Sequence, residues 1–379
     1  MSRGPTFLEF FAGGGMARAG LGWTPLFAND FDAAKADAYA ANWGERPRVA
    51  DVWSLTPGDV PGRADLAWAS SPCQDFSLAG ARAGLAGERS SALLGFWRLM
   101  EALDAEGRAP ATVVVENVTG LLTASGGRDF VALCEAMAAA GYRVGAVEAD
   151  AAAFLPQSRP RVFVIATRAR TAGLTTAGPM PPFHSRAVQE AHAALPEAVR
   201  AAWLWWRLPA PAKRNATLES VLAPDAEVRC WWTTAKLDRL IESMAPLHRL
   251  RLEQALARPG RTVAAAYRRT RAGSPRTEAR FDGLAGCLRT PAGGSSRQIV
   301  LVVENGRVRA RWLLPREAAR LMGLPDSYIL PEGSTAALKL LGDGVAVPVV
   351  RWLAEHLLEP LAASSFPARG GADKARGRA

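Results

Sequence analysis

Between residues 6 and 167 short apolar runs alternate with stretches whose apolar positions recur every three to four residues, the pattern of strands exchanging with helices. The runs at 6–11, 26–29, 65–70, 112–116, 143–150 and 161–167 read as strands; helices are predicted from Met16 and over 33–42, 92–104 and 130–140. Such alternation predicts an α/β fold with a doubly wound, mostly parallel sheet covered on both faces by helices. After Arg168 the pattern breaks. Proline and glycine cluster in Gly178-Pro-Met-Pro-Pro182, tryptophans bunch at Trp203, Trp205, Trp206, Trp231 and Trp232, and arginines stand in loop-like sequence. A second, smaller and irregular domain is expected over 169–298, with the Trp203–Trp206 group in its own core. Runs at 299–304 and 308–313, joined by Asn305-Gly306, predict a hairpin. Helices at 315–322 and 347–358 follow, so 299–363 is expected to return to and complete the first domain, 1–168. The small, basic residues 364–379 read as a disordered tail.

Composition narrows the function classes. With 379 residues, 49% of them hydrophobic and 22% charged, the chain can fill two domains. No apolar run reaches the roughly 18 residues of a membrane span, and the N-terminus lacks the order of a signal peptide, which points to a cytoplasmic protein away from membranes. Cys73, Cys134, Cys230 and Cys287 form no Cys-x-x-Cys pair and have no suitably spaced histidine, so neither disulfides nor a metal site are expected. The four histidines do not cluster either, which leaves acid–base chemistry to carboxylates. The net charge of +10 is concentrated: residues 168–300 hold 21 Lys and Arg against 10 Asp and Glu, the remainder 25 against 26. A basic segment inside a neutral protein is the footprint of nucleic-acid binding.

Four places carry candidate chemistry. Glu9-Phe-Phe-Ala-Gly-Gly-Gly-Met16 follows a strand and opens a helix, so a cofactor can approach the backbone at Gly13 and Gly15. Asp30 or Asp32 is placed to meet a ribose hydroxyl. No glycine follows three residues later, which favours S-adenosylmethionine over a nicotinamide; a plain glycine turn is the alternative. Cys73, after Pro72 and before Gly80, Gly84 and Gly87, sits in a loop at the carboxyl end of a strand, where such sheets place their sites; the competing reading is a small buried hydrophobe. Glu116 ends Val113-Val114-Val115 at the same edge, either as an acid or as an ion-pair partner. Arg159 and Arg161 share a face and hold a carbonyl or anionic oxygen, or form surface pairs. A thiolate that adds to C6 of cytosine while an acid protonates N3 turns C5 into a carbon nucleophile able to accept a methyl group. Both faces of the base must then be reached, so the base leaves the stack.

With those residues in place, the chain resembles the DNA (cytosine-5)-methyltransferase family over nearly all its length. Phe11-Ala-Gly-Gly-Gly15, Asp30 and Ala50-Asp51-Val52 are similar to its donor-binding positions, Pro72-Cys73-Gln74 to its nucleophile motif and Glu116-Asn117-Val118 to its acid motif. Gln157-Ser-Arg159-Pro-Arg161 resembles the motif whose arginines steady the cysteine loop and the base O2. Arg316-Glu317-Ala-Ala-Arg320-Leu-Met-Gly-Leu-Pro325 and Gly342-Asp-Gly-Val345 resemble the last two motifs. The resemblance implies S-adenosylmethionine held by Phe11, Gly13, Gly15, Asp30, Phe31, Asp51, Val52, Pro72, Asp343 and Val345. It implies catalysis by Cys73, Glu116, Arg159 and Arg161, and substrate contacts from Gln74, Ser77, Asn117, Gln157 and Arg297. It also implies double-stranded DNA as partner, recognised by 169–298, a monomeric enzyme of restriction–modification or orphan type, and a possible partner endonuclease. Asp30 replaces the usual glutamate and Asp343 the usual asparagine, and Met16-Ala-Arg-Ala is less glycine-rich than usual. A transfer-RNA enzyme of the same family is disfavoured by the long basic segment. A silent DNA-binding relative is disfavoured by the intact catalytic groups, and an NAD oxidoreductase by the missing glycine.

Overall fold

The computed structural model describes residues 4–72, 92–271, 274–290 and 297–365; Cys73, Gln74, Ser77 and the tail from 366 onward lie outside the described residues. The first half contains β1 (Thr6–Phe10), α1 (Met16–Leu21), β2 (Thr24–Asp30), α2 (Ala33–Trp43), β3 (Arg48–Val49) and β4 (Leu66–Ser70). It continues with α3 (Ala92–Ala105), β5 (Thr112–Asn117), α4 (Arg128–Ala139), β6 (Arg143–Asp150) and β7 (Pro160–Thr167). These strands form one sheet in the order β3-β2-β1-β4-β5-β7-β6. Every residue of β5 is buried, as its unbroken apolar run requires of a strand covered on both faces. The pairs from β3 to β5 are parallel, whereas β7 runs antiparallel to both β5 and β6. The link from Asp150 to Pro160 is shorter than the dozen or so residues a parallel crossover needs, so β7 can only return beside β6. One consequence is decisive for the site. The start of β7 lies against the end of β5, with Glu116 opposite Phe163 and Asn117 opposite Val162. Arg161 therefore enters the edge at which β1, β2, β4 and β5 terminate, where open α/β sheets bind ligands.

The chain beyond β7 departs from the expected boundary at 169. The strands β8 (Thr175–Thr176) and β9 (Trp205–Trp206) and the helices α5 (Arg186–Ala193) and α6 (Glu197–Ala201) pack on the large sheet. Leu204 N–H donates to Val144 O and Glu148 N–H to Phe183 O, each at 2.8 Å. Trp206, fully buried, shares a core with Trp68 and Phe163; Trp203 joins the opposite core with Phe130. These tryptophans thus belong to the first domain rather than to a core of the second. The physical reason is Gly145, where a Cβ would come within 2.6 Å of Trp206 Nε1.

The smaller unit comprises α7 (Thr234–Glu242), α8 (Pro246–Leu256) and β10 (Arg261–Arg271), β11 (Ser274–Arg280), β12 (Ile299–Glu304) and β13 (Arg307–Trp312), an antiparallel sheet in the order β11-β10-β12-β13. The expected hairpin forms, but it belongs to this sheet, which crosses the boundary drawn at 298. Alternation explains why: Ile299, Leu301 and Val303 pack with Leu240 and Leu252 of the helices, while Val300 and Val302 face the main core. The remaining helices α9 (Pro315–Leu321), α10 (Ser334–Asp343), α11 (Val347–Leu353) and α12 (Glu359–Ser365) return to the first domain. Gly20 lets α11 lie directly on α1, since a Cβ there would strike Val350. Among the described residues no helix is long and apolar enough to cross a membrane.

Candidate active site

The glycine turn is built on strain and buried polar contacts. Phe11, at the end of β1, takes a left-handed φ of 56°, which a non-glycine residue adopts only where its surroundings enforce it. Asp30, buried at the end of β2, accepts the Gly13 N–H at 2.8 Å and the Asp32 N–H at 2.9 Å. The Gly14 carbonyl accepts Tyr328 OH at 2.7 Å and Trp43 Nε1 at 3.2 Å. At Gly13, with φ 54°, an added Cβ would meet open space, whereas at Gly15 it would meet Trp43. Phe31 stands 68% exposed beside Asp30. Asp51 is exposed and accepts the Trp53 N–H at 2.9 Å; the Val52 side chain is core, which leaves only its backbone for a ligand. An open backbone turn, an exposed ring and carboxylates at two strand ends fit a nucleoside.

Glu9 lies beneath this turn with 1% exposure, accepting Tyr39 OH at 3.0 Å and the Arg18 N–H at 3.2 Å. Burial pushes its carboxyl up from about 4.5 to about 7. A carboxyl whose folded value is raised holds its proton more tightly in the native state. Its contribution is complete below about 4.5 and is lost as pH rises through about 7. We expect Glu9→Gln, which keeps the shape and the neutrality of the protonated carboxyl, to flatten the stability profile across that window in urea titrations at stepped pH. An unchanged slope in the variant would assign the pH dependence to other groups.

Asp343 and Val345 approach from the C-terminal segment. Val345 is buried, and the Asp343 carboxylate meets Lys35 Nζ of α2 at 2.8 Å and accepts the Thr290 hydroxyl. Lys339 Nζ, one turn earlier, meets Asp32 at 2.7 Å. Two ion pairs thus join α10 to the start of α2, and the acidic departure at 343 has a basic partner in this chain.

Near the end of β5, Glu116, buried at 6% side-chain exposure, pairs with Arg161 Nε at 3.0 Å. Glu116 sits opposite Ser70, the last residue of β4, so the chain leaving β4 toward Cys73 passes beside it. Asn117, expected to touch substrate, is instead spent on this connection: its Nδ2 donates to Ser71 O at 3.1 Å and Ser71 Oγ at 3.0 Å. Pro72 follows, exposed.

Arg159 and Gln157 are both turned into the protein. With 2% of its surface exposed, Arg159 donates from its guanidinium to the carbonyls of Leu288 (2.8 Å), Gly342 (2.9 Å) and Gly344, and to Cys287 Sγ. Burial lowers its pKa to about 10, with repulsion from Arg161 adding to the effect. Gln157 is fully buried, donating to Leu321 O at 2.6 Å and accepting the Leu288 N–H at 3.1 Å. Both side chains tie together the lead-in of β7, residues 287–288 and the C-terminal segment. They give donors to carbonyls that could not otherwise reach water there. Arg297 lies over the Trp312 ring at 5.1 Å. The contributions of Tyr328, Trp43 and Lys35 have no signal in the local sequence, since each arises from contacts across distant segments.

Comparison with known proteins agrees with this geometry. The family model described as C-5 cytosine-specific DNA methylase matches residues 5–359. The chain is 25% identical over 360 residues to the type II methyltransferase M.HhaI of Haemophilus parahaemolyticus, covering 93% of this chain and 94% of that protein. It is 34% identical over 164 residues to M.BsuFI of Bacillus subtilis, 42% of this chain and 38% of that one. In fold it is similar to the S. pombe Dnmt2 methyltransferase, with TM-score 0.59 and 17% identity over 94% of this chain and 99% of that one. The glycine turn, the Glu116–Arg161 pair and the returning C-terminal segment all fall within the matched span, and the chain belongs to the C-5 cytosine-specific DNA methylase family as a DNA cytosine-5 methyltransferase.

Proposed function

We propose that the enzyme methylates C5 of a cytosine rotated out of duplex DNA within a short specific sequence, as an orphan enzyme or beside a partner endonuclease. The donor is S-adenosylmethionine, which when bound supplies the methyl group as an electrophilic carbon. Phe11, Phe31, Gly13, Asp30 and Asp51 would hold it. Cys73, three residues beyond the end of β4 at Ser70, adds as thiolate to C6 of the base. Glu116 gives a proton to N3, so the electron pair of the C5–C6 double bond becomes available at C5. Arg161, fixed by Glu116 at 3.0 Å, is placed to hold the base O2. After alkylation the C5 proton passes to solvent, its bonding pair re-forms the C5–C6 double bond and expels the cysteine thiolate, and the N3 proton returns to Glu116. Arg159, Gln157 and Asn117 keep these groups in register.

The observation that carries this reading is the Glu116–Arg161 pair on the strands next to the one that leads to Cys73, at the edge that also bears the glycine turn. Bisulfite sequencing of a plasmid carrying the gene, grown in a host without cytosine methylation, tests it. The expected result is protected cytosines confined to one short motif. Unprotected DNA together with methyl incorporation into transfer RNA would overturn it.

A further inference from the structure

Several arginines of the smaller unit are neutralised within it. Arg261 and Arg309 share Asp225 and Glu304, Arg280 meets Asp282, and Arg269 lies near Glu278. Four cations on the helix-covered side of the small sheet stand apart. Lys236 of α7 holds its Nζ 4.1 Å from the Trp232 ring centroid and 5.3 Å from that of Trp312; those rings pack edge to face at 5.0 Å. Arg297 lies over Trp312 as well, at 5.1 Å. Arg239 follows Lys236 by three residues and so neighbours it on α7. Arg268 continues the alternation of Ala264 and Ala266, which are buried against the helices, and so faces the same side. None of the four forms an ion pair with a carboxylate among the described residues, and Arg297 Nε is buried without a partner. Burial lowers the Lys236 pKa, and Arg268, Arg239 and Arg297 lower it further.

A group of like charges held over aromatic rings is costly in isolation and is relieved by an anion. We infer that Lys236, Arg239, Arg268 and Arg297 form a subsite for the phosphodiester backbone of duplex DNA, an assignment that rests on the DNA reading above. The four cations come from α7, β10 and the lead-in to β12, so a chain of phosphates satisfies them better than a single one. The tryptophans, half-buried beneath the cations, fix the charged groups rather than stack on bases. The subsite therefore supplies affinity and register on the duplex, not sequence discrimination.

The test is the salt dependence of duplex binding, measured by fluorescence anisotropy on the full chain without donor. Lys236→Met keeps the apolar stem over the rings and removes the charge; Arg268→Gln and the exposed Arg239→Gln are companion variants. Each is expected to lower the slope of log Kd against log salt by about 0.9 per lost contact, weakening cognate and unrelated duplexes alike. Lys236→Arg should restore the slope. Unchanged slopes in variants with unchanged Tm overturn the subsite, as does a loss seen only on the cognate duplex or only on transfer RNA. Wild-type protein that neither binds nor methylates duplex DNA would instead bring down the functional reading on which the subsite stands.

Discussion

Cys73→Ala is expected to abolish methyl transfer, with kcat falling by a factor on the order of 10^4 or more, the scale on which loss of an enzymic nucleophile acts. The carbon at C5 of cytosine is a poor nucleophile until C6 is occupied, so transfer depends on the thiolate. The described residues on either side support the role. β4 ends at Ser70 opposite Glu116, and Asn117 grips Ser71 through both its backbone and its hydroxyl oxygen, which fixes the direction in which the chain departs toward residue 73. Donor affinity should be unaffected, because the glycine turn is held by Asp30, Trp43 and Tyr328 rather than by this segment. Single-turnover transfer and donor titration calorimetry, run on both proteins, separate the two effects. A second readout uses a duplex with fluorine at C5 of the target cytosine. The C5 proton is then missing, the thiolate cannot be expelled after alkylation, and the wild type should remain in a denaturant-resistant complex that the alanine variant never forms. Transfer by the variant within about tenfold of the wild type would overturn covalent catalysis.

The sheet of the first domain was readable because its strands are buried on both faces and therefore appear as unbroken apolar runs such as 112–116. The position of β7 between β5 and β6 was not, since it depends on the length of the preceding connection. Glu116 and Arg161 were legible as candidates from their places at strand ends. The contacts of Arg159 and Gln157 were not legible for the opposite reason: motif spacing reports neighbours along the chain, while their partners Gly344 and Leu321 lie 185 and 164 residues away. The tryptophans at 203–206 read as a separate core because nothing local announces that Gly145, on another strand, makes room for Trp206. Residues 299–312 read correctly as a hairpin, but which sheet a hairpin joins is a property of both its faces, and Ile299 and Val300 pack into two different cores.

Glu317→Ala is expected to cost about 3–5 kcal/mol of stability, the range for breaking a buried ion pair from one side. Arg311 and Glu317 are 1% and 0% exposed at the side chain and meet through two hydrogen bonds, at 2.7 and 2.6 Å. Glu317 also accepts the backbone N–H of Ala223 and of Leu314, both at 2.8 Å, so one carboxylate satisfies a guanidinium, the start of α9 and the chain entering the smaller unit. Its removal leaves a buried positive charge with no access to water. The pair joins β13 to α9, the passage from the small sheet back to the first domain, which is why a stability effect here also bears on function. Adding Arg311→Met should recover part of the loss by removing the stranded charge. Full recovery is not expected, because the Ala223 and Leu314 donors still lack an acceptor, at about 1–3 kcal/mol for each buried group left unpaired. Urea unfolding of the two single variants and the double variant closes the cycle. A coupling near zero would mean that the two side chains act independently, and a single-variant cost below about 1 kcal/mol would place the pair with solvent-screened ones.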